Sequence, residues 1–163
     1  MPGYLGRLLE QAYRVIGDAT PLPVDCGQLC ETACCQGGDE VGMLLFPGEQ
    51  LLLAGKRGFE VSRIDYMGGR AWFVGCAGTC DRELRPLACR VFPLGPQVLP
   101  SGRVRAVPDP RSRRMCPLAT GEFLDPAFVK AVGAAFSLLA REPAMLRFMK
   151  RISDEMDELN RFF

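Results

Sequence analysis

Apolar residues recur at helical spacing near both ends of the chain and at strand-like spacing in its middle. Tyr4, Leu5, Leu8, Leu9, Ala12, Tyr13 and Ile16 share one face of a helix over Tyr4–Ile16, and Gly17 suits its stop. Thr20-Pro21-Leu22-Pro23 reads as a rigid extended connector. Met43–Phe46 is a short apolar strand, and Pro47 then opens a helix over Gly48–Ala54 that Gly55 ends. Phe59–Met67 alternates in part, Ala71–Val74 reads as a second strand, and Gly68-Gly69 predicts a hairpin turn between them. Residues 93–117 hold six prolines and read as an ordered loop with a short strand at Val104–Val107. Asp125 followed by Pro126 predicts a helix start, with Phe128, Val129, Val132, Phe136 and Leu139 on its apolar face. Pro143 opens a last helix carrying Leu146, Phe148, Met149, Ile152, Met156 and Leu159.

These elements predict a small α+β single domain over residues 1–163. Short strands and loops surround a cysteine cluster, and N- and C-terminal helices flank it. The motif core spans 24–95 and the helical C-terminal part 124–163. A chain of 163 residues suits one domain and can bury a core without help from disulfides or metal.

Charge alters this picture only locally. The whole chain carries +1, but Asp81–Arg114 holds eight arginines against Asp81, Glu83 and Asp109, a net of +5. Such a stretch reads as a solvated face, as compensation for nearby thiolates, or as a surface for another protein or an anionic ligand. No aromatic residue interleaves with the arginines between Arg103 and Arg114, which argues against nucleic acid. No apolar run approaches the roughly 18 residues a membrane span needs. Arg7, Glu10 and Arg14 interrupt the apolar pattern of the first helix, so no secretion signal is expected there and the expected location is cytoplasmic.

The candidate chemistry lies in the cysteines. The first group is Cys26, Cys30, Cys34 and Cys35; the second is Cys76, Cys80 and Cys89, with Cys116 beyond it. The chain has eight cysteines and no histidine. Any metal site must therefore rest on sulfur, helped at most by carboxylate or water, and histidine-based catalysis is excluded. Thiolates holding one metal must come within about 4 Å of each other, since Zn–S bonds are about 2.3 Å. A tight turn supplies two or three of them and a distant segment completes the shell. All eight cysteines are candidate ligands of an iron–sulfur cluster or zinc. The x3 spacings and the vicinal pair Cys34-Cys35 suit a cluster at least as well as one ion. A disulfide framework and buried, unligated thiols are the competing readings. Cys116 also serves as a candidate pin for the proline-rich stretch.

Cys26–Cys35, with Asp39-Glu40-Val41 and Leu44-Leu45-Phe46-Pro47-Gly48-Glu49 after it, resembles the opening of the YkgJ-type cysteine-cluster family. Cys80-Asp81-Arg82-Glu83-Leu84-Arg85-Pro86-Leu87-Ala88-Cys89-Arg90-Val91-Phe92-Pro93 is similar to that family's C-x-x-x-x-x-RP-x-x-CR-x-FP motif. The first spacing here is x3 where the family commonly has x2. The resemblance implies a zinc- or iron-chelating domain, and some relatives resemble bacterial lysine N-methylases of flagellin. No Gly-rich cofactor loop accompanies it in this chain.

Arg85 and Arg90 are candidate cofactor-binding residues, since guanidinium N–H groups beside Cys89 would donate to thiolate or sulfide. The alternative is that they pair with carboxylates or cap loop carbonyls. Three functions follow as expectations. The first is a metal-binding module with a structural or accessory role. The second is an iron–sulfur enzyme or electron-transfer protein, with methyl transfer to protein lysine as one form of it. The third is a thiol-redox protein.

Overall fold

The computed structural model describes residues 3–24, 28, 34, 42–78 and 81–162. These residues form a small α+β domain, as the hydrophobic pattern predicts, and it has five helices and two antiparallel sheets. Helix α1 spans Tyr4–Ile16, and Gly17, at φ 53°, closes it by donating its N–H to the Tyr13 carbonyl at 2.8 Å. Helices α4 (Pro126–Leu139) and α5 (Pro143–Phe162) complete the helical layer. The Asp125 carboxylate caps α4 by accepting from the Ala127 N–H at 3.0 Å, with Pro126 in the first helical position. The main core joins Leu9 and Ala12 of α1 to Phe128, Val132 and Phe136 of α4 and to Phe148, Met149 and Ile152 of α5. All these side chains are buried, so the fold is stabilised chiefly where helical stripes meet.

The three-stranded sheet has the order β1 (Gly42–Leu45), β3 (Gly69–Cys76), β2 (Phe59–Tyr66). Leu45 lies opposite Trp72, and Phe59 opposite Cys76. The hairpin turn is Met67-Gly68, one residue earlier than the glycine pair suggested, because Gly69 already pairs with Tyr66. Both turn residues have positive φ, 45° and 77°, as a two-residue hairpin turn that follows the strand twist demands. Helix α2 covers Gln50–Leu53, shorter than the expected Gly48–Ala54. Gly48 sits at φ 98°, which no α-helix accommodates, so Pro47 opens a turn there and the helix starts after Glu49.

The proline-rich stretch, expected as an ordered loop with one short strand, holds two. Strand β4 (Leu94–Val98) pairs with β5 (Val104–Pro108) in a second, two-stranded sheet. Pro96 lies within β4, opposite Ala106. In a two-stranded ribbon every strand is an edge, so a proline's missing N–H need not break the ladder. Between the two sheets lies helix α3 (Leu87–Val91), preceded by a 3-10 turn at Arg82–Leu84. Among the described residues no helix is long and apolar enough to cross a membrane.

Candidate metal centre

A cavity of about 1200 Å³ opens among the first connector, the sheet, α3 and α5. Cys34, Cys89 and Cys116 all line it, although 27 or more positions separate any two of them in the chain. Arg82, Arg85, Arg90 and Arg111 line it as well. Much of the remaining wall is apolar, including Met43, Phe73 and Phe92. The donor chemistry at this wall is thiol rather than imidazole, which fits a thiophilic metal or cluster.

Each candidate ligand has a definite place or lies outside the described residues. Cys89 is the third residue of α3 and is half-buried. Cys116 follows a 3-10 turn at Pro110–Ser112, and its N–H donates to the Ser112 carbonyl at 2.9 Å. Cys34 is exposed. Cys76 ends β3 and does not line the cavity; its thiol donates to the Gly78 carbonyl at 2.8 Å. Cys26, Cys30, Cys35 and Cys80 lie outside the described residues, and with them the expected approach of Cys30 to Cys89. Among the described residues no group of three or more Cys, Asp or Glu converges closely enough to hold a metal ion.

The arginine-rich segment divides by role. Arg90 turns back over the 3-10 turn, donating to the carbonyls of Arg85 and Arg82 at 2.8 Å each and of Glu83 at 3.1 Å. Its guanidinium carbon stands 4.6 Å above the Tyr13 ring centre. Of the two sequence readings of Arg90, these donations match the capping of loop carbonyls. Arg85 lines the cavity, as Cys89 does. Arg111 grips Asp109 with both arms, at 3.0 and 2.6 Å, and reaches Glu155 at 3.3 Å. Burial alone would lower the Arg111 pKa, but hydrogen bonds and charge from Asp109 and Glu155 hold it above its ordinary value. Arg105 bonds Gln97 across the hairpin, and Arg113 bonds Asn160.

Sequence reasoning gave no role to the most unusual group near the site. Glu49 is 0% exposed. Its Oε2 accepts from the Phe46 N–H at 2.7 Å, and its Oε1 from the Leu87 N–H at 2.8 Å and from the Tyr13 hydroxyl. Burial pushes its carboxyl above the usual range, against the pull of those three donors and of Arg90. Burial and the neighbouring carboxylate likewise push the Tyr13 hydroxyl up. One signal was present in the chain: Glu49 is the sole charged residue in the apolar run Met43–Ala54. Compared with protein-family models, with curated proteins and with solved structures, the chain matches none of them.

Proposed function

We propose that this protein is a metal-binding module that holds an iron–sulfur cluster or zinc through clustered cysteine thiolates, in a structural or accessory role. One observation carries the reading: Cys34, Cys89 and Cys116, from three separate stretches, line a single cavity together with four arginines. Cations beside thiolates favour the deprotonated form that a metal requires. The x3 spacings and the lack of histidine incline the reading toward a cluster over zinc. The resemblance of Arg85–Pro93 to the YkgJ-type motif supports the same chemistry. Reduced thiols suit a cytoplasmic location.

The test is protein made and kept without oxygen, followed by metal and acid-labile sulfide analysis. A brown protein with iron and sulfide in cluster proportion is the expected outcome. Colourless protein with stoichiometric zinc would turn the reading to a structural zinc site. Metal-free protein with all eight thiols titratable defeats it and favours thiol-redox chemistry.

A second reading, an iron–sulfur enzyme or electron-transfer protein, draws on the cavity itself. About 1200 Å³ with a largely apolar wall is more room than a single ion or cluster fills, and suits an organic ligand beside the thiols.

A further inference from the structure

We propose that Glu49 is a positioning residue for the Cys89 thiol: its carboxylate, oriented by the Tyr13 hydroxyl, holds the first N–H of α3 and so fixes where that thiol stands on the cavity wall. Its purpose rests on the metal-module reading above; the geometry behind it does not.

Helix α3 has five residues, too few to persist alone. Its leading N–H groups have no partner within the helix and must find one elsewhere. The Leu87 N–H finds Glu49 Oε1 at 2.8 Å, while Oε2 of the same carboxylate takes the Phe46 N–H at 2.7 Å, just beyond β1. One buried side chain therefore joins α3 to the sheet, where no water competes for its oxygens. Tyr13, from α1, also donates to Oε1. Its ring also lies under the Arg90 guanidinium, which is tied to three carbonyls of the preceding turn. Helix α3 is thus held at Leu87 and at Arg90, and Cys89 stands between them, facing the cavity.

The residue type matters. An ionised carboxylate accepts three donors at once through two oxygens; a glutamine offers one oxygen and an NH2 that repels a backbone N–H. A leucine would fill the space and satisfy none of the donors. Groups that orient metal ligands from behind commonly change metal retention when they are altered.

The experiment compares wild type, E49Q and Y13F, each the full chain as purified without oxygen. Iodoacetamide alkylation is followed at every cysteine by mass spectrometry. Cys76, on β3 and bonded to Gly78, is the internal reference. Cys89 is expected to react about tenfold faster relative to Cys76 in E49Q, and about threefold faster in Y13F, as local opening of α3 frees it. Bound metal is expected to leave E49Q about tenfold faster on exposure to EDTA. An unchanged ratio of Cys89 to Cys76 in both variants overturns the proposal, and so does a parallel rise at Cys89 and Cys76, which would report general loosening; Cys34 and Cys116, which line the same cavity, are expected to rise with Cys89 as metal leaves. Should E49Q lose its circular dichroism signature, Y13F decides by the same ratio. Wild-type protein that carries no metal defeats the metal-module reading, while the alkylation ratio still decides the role of Glu49.

Discussion

Two tyrosine–glutamate pairs, Tyr66 with Glu155 lining the cavity and Tyr13 with Glu49 outside its lining, are built differently. Tyr13 donates to Glu49 and Tyr66 donates to Glu155, the second at 2.6 Å, and each tyrosine ring lies under an arginine, Arg90 or Arg151. Glu49 is sealed from water and relies on two backbone N–H groups. The Glu155 side chain is 28% exposed and relies on the Arg111 guanidinium, which Asp109 also grips. The first pair ties α1, the sheet and α3 together through directed hydrogen bonds, with Arg90 over the tyrosine ring and no ion pair to Glu49 among the described residues. The second is an ion-pair network at the cavity's edge, where water shares the load. A dry carboxylate depends on every one of its donors, whereas a wet one can replace a lost donor with solvent.

The sharpest way to break this comparison is to remove each carboxylate. Glu49→Leu leaves two backbone N–H groups and a hydroxyl without acceptors in a dry site, an expected loss of about 3–5 kcal/mol in urea unfolding. Glu155→Leu is expected to cost about 1 kcal/mol, because its partners keep Asp109 or reach water. Equal losses would erase the distinction between the two pairs.

Alkaline pH provides the next test. Burial first, and then the adjacent carboxylate, raise the hydroxyl pKa of both Tyr13 and Tyr66. Above about pH 10 an unfolded tyrosine has released its proton while the folded one still holds it. The stability tied to this proton is complete below that pH and is lost as pH rises toward the folded value. Tyr13 alone is expected to contribute up to about 1.4 kcal/mol of lost stability per pH unit above 10. Tyr66 contributes a similar slope, because its hydroxyl too is held protonated in the fold. Urea midpoints measured from pH 9 to 11 check the slope, and Y13F and Y66F should each flatten it.

The smallest expected difference separates the same two tyrosines near neutral pH. Tyr13→Phe deprives a buried carboxylate of one donor and is expected to cost about 1–2 kcal/mol, against about 0.5 kcal/mol for Tyr66→Phe. Thermal melts of the two variants side by side would show it. A larger shift for Y66F would mean that the ion-pair network, and not the dry knot, anchors the cavity.

Much of the architecture was legible from the chain, since helices α1, α4 and α5 follow from a 3.6-residue stripe and from signals such as Gly17 and Asp125-Pro126. The thiol-only character of any metal site was legible too, from cysteines without histidine. Strand β4 was hidden because Pro96 reads against a strand unless the sheet has only edges. The start of α2 was hidden because Gly48 takes a positive φ that its neighbours do not reveal. The role of Glu49 was hidden for a deeper reason: its partners Tyr13 and Leu87 stand 36 and 38 positions away. Local periodicity reports which face of an element is apolar, because its period is shorter than the element. Whether a carboxylate meets water or three donors depends on which distant segments pack against it, and the tertiary structure alone decided that for Glu49, as it decided that Cys34, Cys89 and Cys116 line one cavity.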